Sequence, residues 1–366
     1  MSLTHATRLE IDLDAIAANW RDLAAHAASA RPGGLTAAVV KADGYGLGAL
    51  PVAARLYRTG CRHFFVAHLD EALVIREAVP DAMVAPLNGL WPGSAGEYVA
   101  RGIVPVLGTL GEIAEYAALA RGLGRVLPAL LHVDTGMNRL GLDAAGVAAL
   151  GDDRSLLDGI ALAYVMTHLS SSELPLAPEN PRQLARFEAA RAVLPAAPTS
   201  IANSSGMFLP PDYASDLSRP GAALYGINPT PEAGNPMRCV VRLMARVLAV
   251  NEVAPGETAG YDATWTASRP SRTATVSVGY ADGYPRSLSS RGAAIFDGRR
   301  VPLVGRVSMD LTIFDVTDHP GVGPGSWLEL IGPSMPPDAV ADLAGTIGYE
   351  VLTSLRPRYH RVWSGA

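Results

Sequence analysis

Of the 30 lysines and arginines in this 366-residue chain, only Lys41 is a lysine. It stands in VVKADGYGLG, residues 39–48. A guanidinium serves wherever positive charge alone is wanted, but it stays protonated and cannot condense with a carbonyl. A single amine kept in an arginine-rich chain is therefore a candidate imine-forming nucleophile. The plain alternative is a leftover surface lysine. The apolar run AAVV before it argues against that, because in an α/β barrel it sets Lys41 at the mouth, where strand C-termini carry catalytic groups.

Pyridoxal phosphate is the common carbonyl partner of such a lysine. It needs a phosphate cradle, a partner for the ring nitrogen and a group over the ring face. SRPGAALYG offers Arg219 and the backbone N–H groups of Gly221 and Ala222, and phosphate sites after the seventh and eighth strands recur in barrels. NSSG adds the Ser204 hydroxyl, and VMTHLS places His168 at a strand end. A lone histidine is otherwise a core residue or a helix cap. No metal is expected.

The elements that position these residues alternate over residues 35–227. Apolar runs at LTAAVV, HFFVAHL, AMVAPL, IVPVLG, PALLHV, IALAYVMTH, PTSIAN and GAALYG read as strands buried on both faces. Between them LDEALVIREAV, LGEIAEYAALARGL and RQLARFEAARAVL show helical spacing. The pattern predicts an α/β chain, an N-terminal (β/α)8 TIM-type barrel over residues 12–230 that binds the cofactor. RLEIDLDAIAANW opens with a strand within residues 1–11, expected to pack on the C-terminal domain, and then a helix capped at or beside Asp14. After the Pro/Gly-rich INPTPEAGNP, helix signals fade, and residues 231–366 read as a β-rich domain with a hairpin at Asp297–Gly298 and one late helix near AVADLAGTI.

Composition excludes several classes. A net charge of −5 leaves no basic footprint for nucleic acid. No apolar run approaches the roughly 20 residues of a membrane span. Two cysteines make no disulfide framework, and the opening residues lack the pattern of a leader, so the expected location is cytoplasmic.

The motifs AVVKADGYGLG, HVDTGMNRLGL, YVMTHLS, IANSSG, SRPGAALYG, GYDATWT, VGYADGYPR, GRVSMD and GTIGYEVL resemble the fold-type III pyridoxal phosphate enzymes, and among them the alanine racemase family. The resemblance spans nearly the whole chain. It implies interconversion of L- and D-alanine by two bases, supplying D-alanine for peptidoglycan. Lys41 corresponds to the lysine that carries the cofactor and acts as one base. Tyr261 of AGYDATWT corresponds to the other base, delivered from the partner subunit of a head-to-tail homodimer. Tyr45, Asn203, Ser204, Gly221, Ala222 and Tyr349 correspond to cofactor-binding residues, the phosphate contacts among them. Arg219 corresponds to the partner of the ring nitrogen, and His168 to the neighbour of the tyrosine base. Arg139 and the Met309 N–H correspond to substrate-carboxylate contacts, and Tyr280 and Arg306 to residues narrowing the approach channel.

Three positions depart from the family pattern. His132 stands where a carbamylated lysine often orients the arginine, so Arg139 is left to His132, Asp134 or an anion. Asp262 replaces a frequent glycine beside Tyr261, and Gly348 replaces an asparagine beside Tyr349. The competing readings are a fold-type III decarboxylase, a broad-specificity racemase, a non-catalytic pyridoxal phosphate carrier and a plain phosphate-binding barrel. Cys61 and Cys239 lie in no decarboxylase motif, and the β-rich half argues against a carrier.

Overall fold

The computed structural model describes residues 5–365. Residues 1–4, part of the expected first strand, and Ala366 lie outside the described residues. Short parallel strands join Ala38–Val39 to His63–Val66 and Met83–Pro86. A second run joins Val106–Leu107, Leu127–His132, Ile160–Met166 and Thr199–Ser200. Leu217–Ser218 pairs in parallel with Leu35–Thr36 and returns the ring to its first strand. The breaks in the ladder are bridged by Val104 N–H donating to Val84 O at 2.9 Å and Arg219 N–H donating to Ala202 O at 2.8 Å. Phe64, Phe65, Val84, Leu130, Leu131 and Val165 are buried in this half, as strands covered by helices require.

The eighth strand differs from the sequence reading. It lies at Leu217–Ser218, and the GAALYG stretch folds as a 3-10 turn over Ala222–Tyr225. Pro220 has no N–H to donate to a ladder. Beyond it, Gly221 and Ala223 turn their N–H groups to Ser204 Oγ at 3.0 and 3.2 Å.

Helices follow the strands where local signals are strong. Leu110–Leu123 starts at Thr109, whose hydroxyl accepts from Glu112 N–H at 3.1 Å, and stops at Gly124. Leu13–Ala30 is capped by Asp12, which accepts from Ala15 N–H at 2.9 Å. The late helix is two: Pro337–Ala344 ends at the left-handed Gly345, and Gly348–Thr353 follows.

The other half is an eight-stranded sheet that curls on itself, because Val241–Val253 pairs with Trp327–Ile331 on one side and Ser271–Val276 on the other. Its hairpin, Ala293–Phe296 to Arg299–Val304, turns through Asp297 and Gly298, both at positive φ. Thr7–Asp12 pairs antiparallel with Val241–Val253 and parallel with His360–Ser364. That last strand reaches the Lys41 segment: Arg361 donates to Gly46 O at 2.8 Å and Trp363 Nε1 to Leu47 O at 2.9 Å.

Candidate active site

Lys41 begins an unusual turn. Ala42, Asp43, Gly44 and Tyr45 follow it with φ of 53, 53, 61 and 54°, a run of left-handed backbone. Such backbone costs roughly 1–2 kcal/mol for each non-glycine residue, about 3–6 kcal/mol for the three here. The turn is held by hydrogen bonds from Ala42 N–H to Glu71 Oε1 (2.6 Å), Gly46 N–H to Ala42 O (2.8 Å), Gly48 N–H to Asp43 O (2.7 Å) and Ala49 N–H to Asp43 Oδ1 (2.8 Å). At about 0.5–1.5 kcal/mol each, and more for those to carboxylates, these bonds and the clamps from Arg361 and Trp363 offset the strain.

The turn opens on a cavity of about 630 Å³. Lys41, Tyr45, Arg139, His168, Asn203, Ser204, Arg219, Gly221, Ala222 and Tyr349 all line it. The structure thus brings together ten of the residues singled out in sequence. Tyr261 and Met309 are not among them. Tyr261 is 69% exposed and lines a separate hollow with Arg306, Ser308 and Leu311, and Met309 is 54% exposed. Tyr280 is 41% exposed on the same β-rich half.

Burial pushes the Lys41 amine below the usual lysine range; the Arg139 guanidinium adds to this and the Glu71 carboxylate opposes it. Arg219 is buried, and burial lowers it to about 10, so it stays a cation at neutral pH. Its Nη2 donates to Thr167 O at 2.6 Å and its Nη1 to Ser200 Oγ. Burial, with Arg219 and Arg139 nearby, drops His168 to about 3, and burial with Arg219 drops His132 to about 4. Both imidazoles are neutral at working pH. Asp134 spends Oδ1 on the N–H groups of Gly136, Met137 and Asn138, at 2.8, 3.0 and 3.1 Å.

At the far end, Ser204 Oγ accepts from Gly221 and Ala223 N–H, which leaves its own proton to donate into the cavity. A Cβ on Gly221 would stand 2.2 Å from Tyr45 Oη, so only glycine lets that phenol sit against the loop. Tyr45 stacks on Tyr225 with ring centroids 4.6 Å apart. Tyr349 donates to Glu173 Oε1 at 2.8 Å, and burial and Glu173 raise its pKa, as burial does for Tyr45, so both phenols keep their protons. Asn203 is a brace: its Oδ1 accepts from Ser172 Oγ and from Gly206 N–H, both at 2.8 Å. A Cβ on Gly348 would lie 2.4 Å from Asp338 Oδ1, which explains the glycine beside Tyr349. Asp262 pairs with Arg306 at 3.1 Å, and Arg306 lines the same hollow as Tyr261.

Residues 11–229 match the alanine racemase N-terminal domain and residues 240–363 the alanine racemase C-terminal domain. An alanine racemase of Acidiphilium cryptum is 54% identical over 360 residues, covering 98% of this chain and 99% of the relative. One from Methylobacterium nodulans is 53% identical over 360 residues, 98% and 96% of the two chains. The chain belongs to the alanine racemase family. Among solved structures, alanine racemase from Bartonella henselae with covalently bound pyridoxal phosphate aligns with a TM-score of 0.93 at 40% identity, covering 98% of this chain and 99% of that one. The biosynthetic enzyme of Pseudomonas aeruginosa aligns with a TM-score of 0.88 at 35% identity, covering 99% and 100%.

The chain is therefore an amino acid racemase that depends on pyridoxal phosphate. The cavity fits that cofactor: it offers one amine, a buried guanidinium without a carboxylate partner among its hydrogen bonds, and a hydroxyl-and-amide cradle. Among the described residues no cluster of His, Cys, Asp and Glu suits a metal, and no helix is long and apolar enough to cross a membrane. Sequence reasoning missed Glu71, Glu173, Thr167 and Ser200. Only Glu71 had a local signal, its place three residues after His68 at the start of helix Leu69–Arg76.

Proposed function

We propose that the chain interconverts L- and D-alanine with two bases, Lys41 of one subunit and the partner subunit's Tyr261, in a cytoplasmic homodimer that supplies D-alanine for peptidoglycan. Residues 12–230 hold the cofactor together with Tyr349, and residues 231–366, joined by the strand within residues 1–11, present the second base to the other subunit. The observation that carries this reading is the separation above: the Lys41 cavity lacks Tyr261 and Met309, while both stand exposed on the β-rich half. Both cysteines are unpaired, in keeping with a reducing compartment.

When bound, the cofactor withdraws electrons from the amino acid's Cα and so acidifies its α-proton. Lys41 Nζ would hold the cofactor covalently and, when freed by the substrate's amine, would move the α-proton on one face. Its lowered pKa favours the free amine that this role needs. The partner subunit's Tyr261 moves the proton on the opposite face. Arg219 would donate to the ring nitrogen and keep its own proton, which would leave that nitrogen unprotonated. Tyr45, Ser204, Gly221, Ala222 and Tyr349 hold the phosphate, with Asn203 bracing the loop, and His168 is the neutral neighbour of the tyrosine base. Arg139 and the partner subunit's Met309 N–H bind the substrate carboxylate.

Mixing two inactive variants tests the shared site. Lys41→Ala and Tyr261→Phe proteins, allowed to exchange subunits, should regain about a quarter of wild-type racemisation, because half of the dimers become hybrids with one intact site of two. Hybrids identified by mass that show no recovery overturn the reading.

A further inference from the structure

The carboxylate of Glu71 sits at the junction of two strand ends. Its Oε1 accepts from Ala42 N–H at 2.6 Å, the amide directly after Lys41. Its Oε2 accepts from Ala67 N–H at 2.6 Å and His68 N–H at 3.3 Å, at the end of strand His63–Val66. One side chain therefore ties the first loop of the barrel to the second. Ala42 is also the first residue of the left-handed run, so Oε1 holds the strained backbone where it leaves Lys41.

Nothing weaker serves in that place. A hydroxyl is too short to span both loops, and an amide has one acceptor oxygen and presents N–H donors on the other side, facing donors. Only a carboxylate can accept on both sides at once. The groups bearing on the Lys41 amine are Arg139 and Glu71, with His168 also close enough to sense its charge. His168 is neutral, Arg139 disfavours the ammonium, and Glu71 is the one anion that favours it.

We propose that Glu71 is the positioning residue of Lys41: its two oxygens lock the left-handed turn that presents the amine to the cavity. This rests on the reading of Lys41 as the residue that captures the cofactor. It adds a residue that touches neither cofactor nor substrate and acts through the backbone and the field at Lys41.

Because Lys41 is the only lysine, its reactivity can be read alone. Cofactor-free protein is treated with trace acetic anhydride across a pH series, and acetylation of the peptide holding Lys41 is followed by mass spectrometry. The midpoint of that profile moves to lower pH in Glu71→Gln, which loses the charge, and stays near the wild-type value in Glu71→Asp, which keeps it. At a pH above the midpoint, where the amine is free in all proteins, the rate of covalent pyridoxal phosphate capture reports position alone. That rate should fall at least about tenfold in both variants, since a misplacement of about 1 Å can cost a hundredfold. An unchanged midpoint in Glu71→Gln, or an unchanged capture rate in Glu71→Asp, overturns the proposal. Should Glu71→Gln fail to fold, the capture rate of Glu71→Asp still decides it. A wild-type protein that captures no pyridoxal phosphate at Lys41 instead refutes the reading of Lys41 itself.

Discussion

Arg219 Nη2 donates to the carbonyl of Thr167 at 2.6 Å, so the buried guanidinium is fixed by the strand end that carries His168. The bond sets the fork's plane, and Nη1 is held in turn by Ser200 Oγ. Lysine cannot copy this arrangement. Its ammonium offers no planar fork, and a buried ammonium sheds its proton far more readily than a guanidinium. Arg219→Lys should therefore lose both the proposed donor to the ring nitrogen and the fixed charge, with racemisation falling by about a hundredfold, the loss seen when one preorganised donor is removed. Steady-state rates in both directions check this. Losses below about threefold would show that the fork's geometry does not matter.

His168 and His132, held to about 3 and about 4 by burial first, are the residues through which acid should unfold the protein. The ordinary histidine value is about 6.5, so between pH 6.5 and 4 the unfolded chain binds protons that the folded chain refuses. Stability then rises with pH through that window and falls as the pH drops through it. Each unit of depression is worth about 1.4 kcal/mol, so the two together amount to several kcal/mol lost on acidification. Urea midpoints measured from pH 7 to 4 should fall steadily. His168→Asn, which removes one of the two protonations, should flatten that slope. A parallel profile for the variant would show that His168 does not carry the effect.

The parts of this fold legible in sequence are those set by neighbours along the chain. Helix Leu110–Leu123 is bounded by Thr109 and Gly124, both local signals, and its limits match the apolar periodicity. The hairpin at Asp297–Gly298 is legible for the same reason. GAALYG misleads because its apolar run reads as a strand, while the cause of its turn is Ser204, 17 residues away from Gly221 and brought close only by the closed barrel. Lys41 stood out through composition, as the single exception to arginine. Glu71 did not: its place three residues after His68 marks a helix start, but its bond to Ala42, 29 residues earlier, has no local sign. Tyr261 has no local mark at all; only the match of AGYDATWT to a family singled it out. Site chemistry carried by residue type was readable, and site chemistry carried by distant backbone groups was not.

Gly221 tests how tightly the proposed phosphate end is built. Its φ is negative, so alanine is not excluded by backbone conformation. The obstacle is Tyr45, whose Oη, Cζ and Cε2 would lie 2.2, 2.9 and 3.3 Å from a new Cβ. Tyr45 cannot retreat freely, because its ring is stacked on the buried Tyr225, whose hydroxyl donates to Val39 O at 3.2 Å. Overpacking of this kind costs about 1–3 kcal/mol. The loop relieves it by shifting the Gly221–Ala222 segment, and with it the Ser204 hydroxyl that accepts from Gly221 N–H, away from the proposed cradle. Gly221→Ala should therefore weaken pyridoxal phosphate binding by about 10- to 100-fold, at roughly 1.4 kcal/mol per tenfold, while the thermal midpoint of the cofactor-free protein falls only modestly. Titration of the cofactor-free protein, followed in the visible band, gives the dissociation constant. Adding Tyr45→Phe removes the 2.2 Å contact but not the ring contacts, so it should restore only part of the affinity, and the lost phenol donor caps the recovery further. An affinity unchanged in Gly221→Ala would mean that the loop accommodates a methyl without moving its amides, and the cradle would have to lie elsewhere in the cavity.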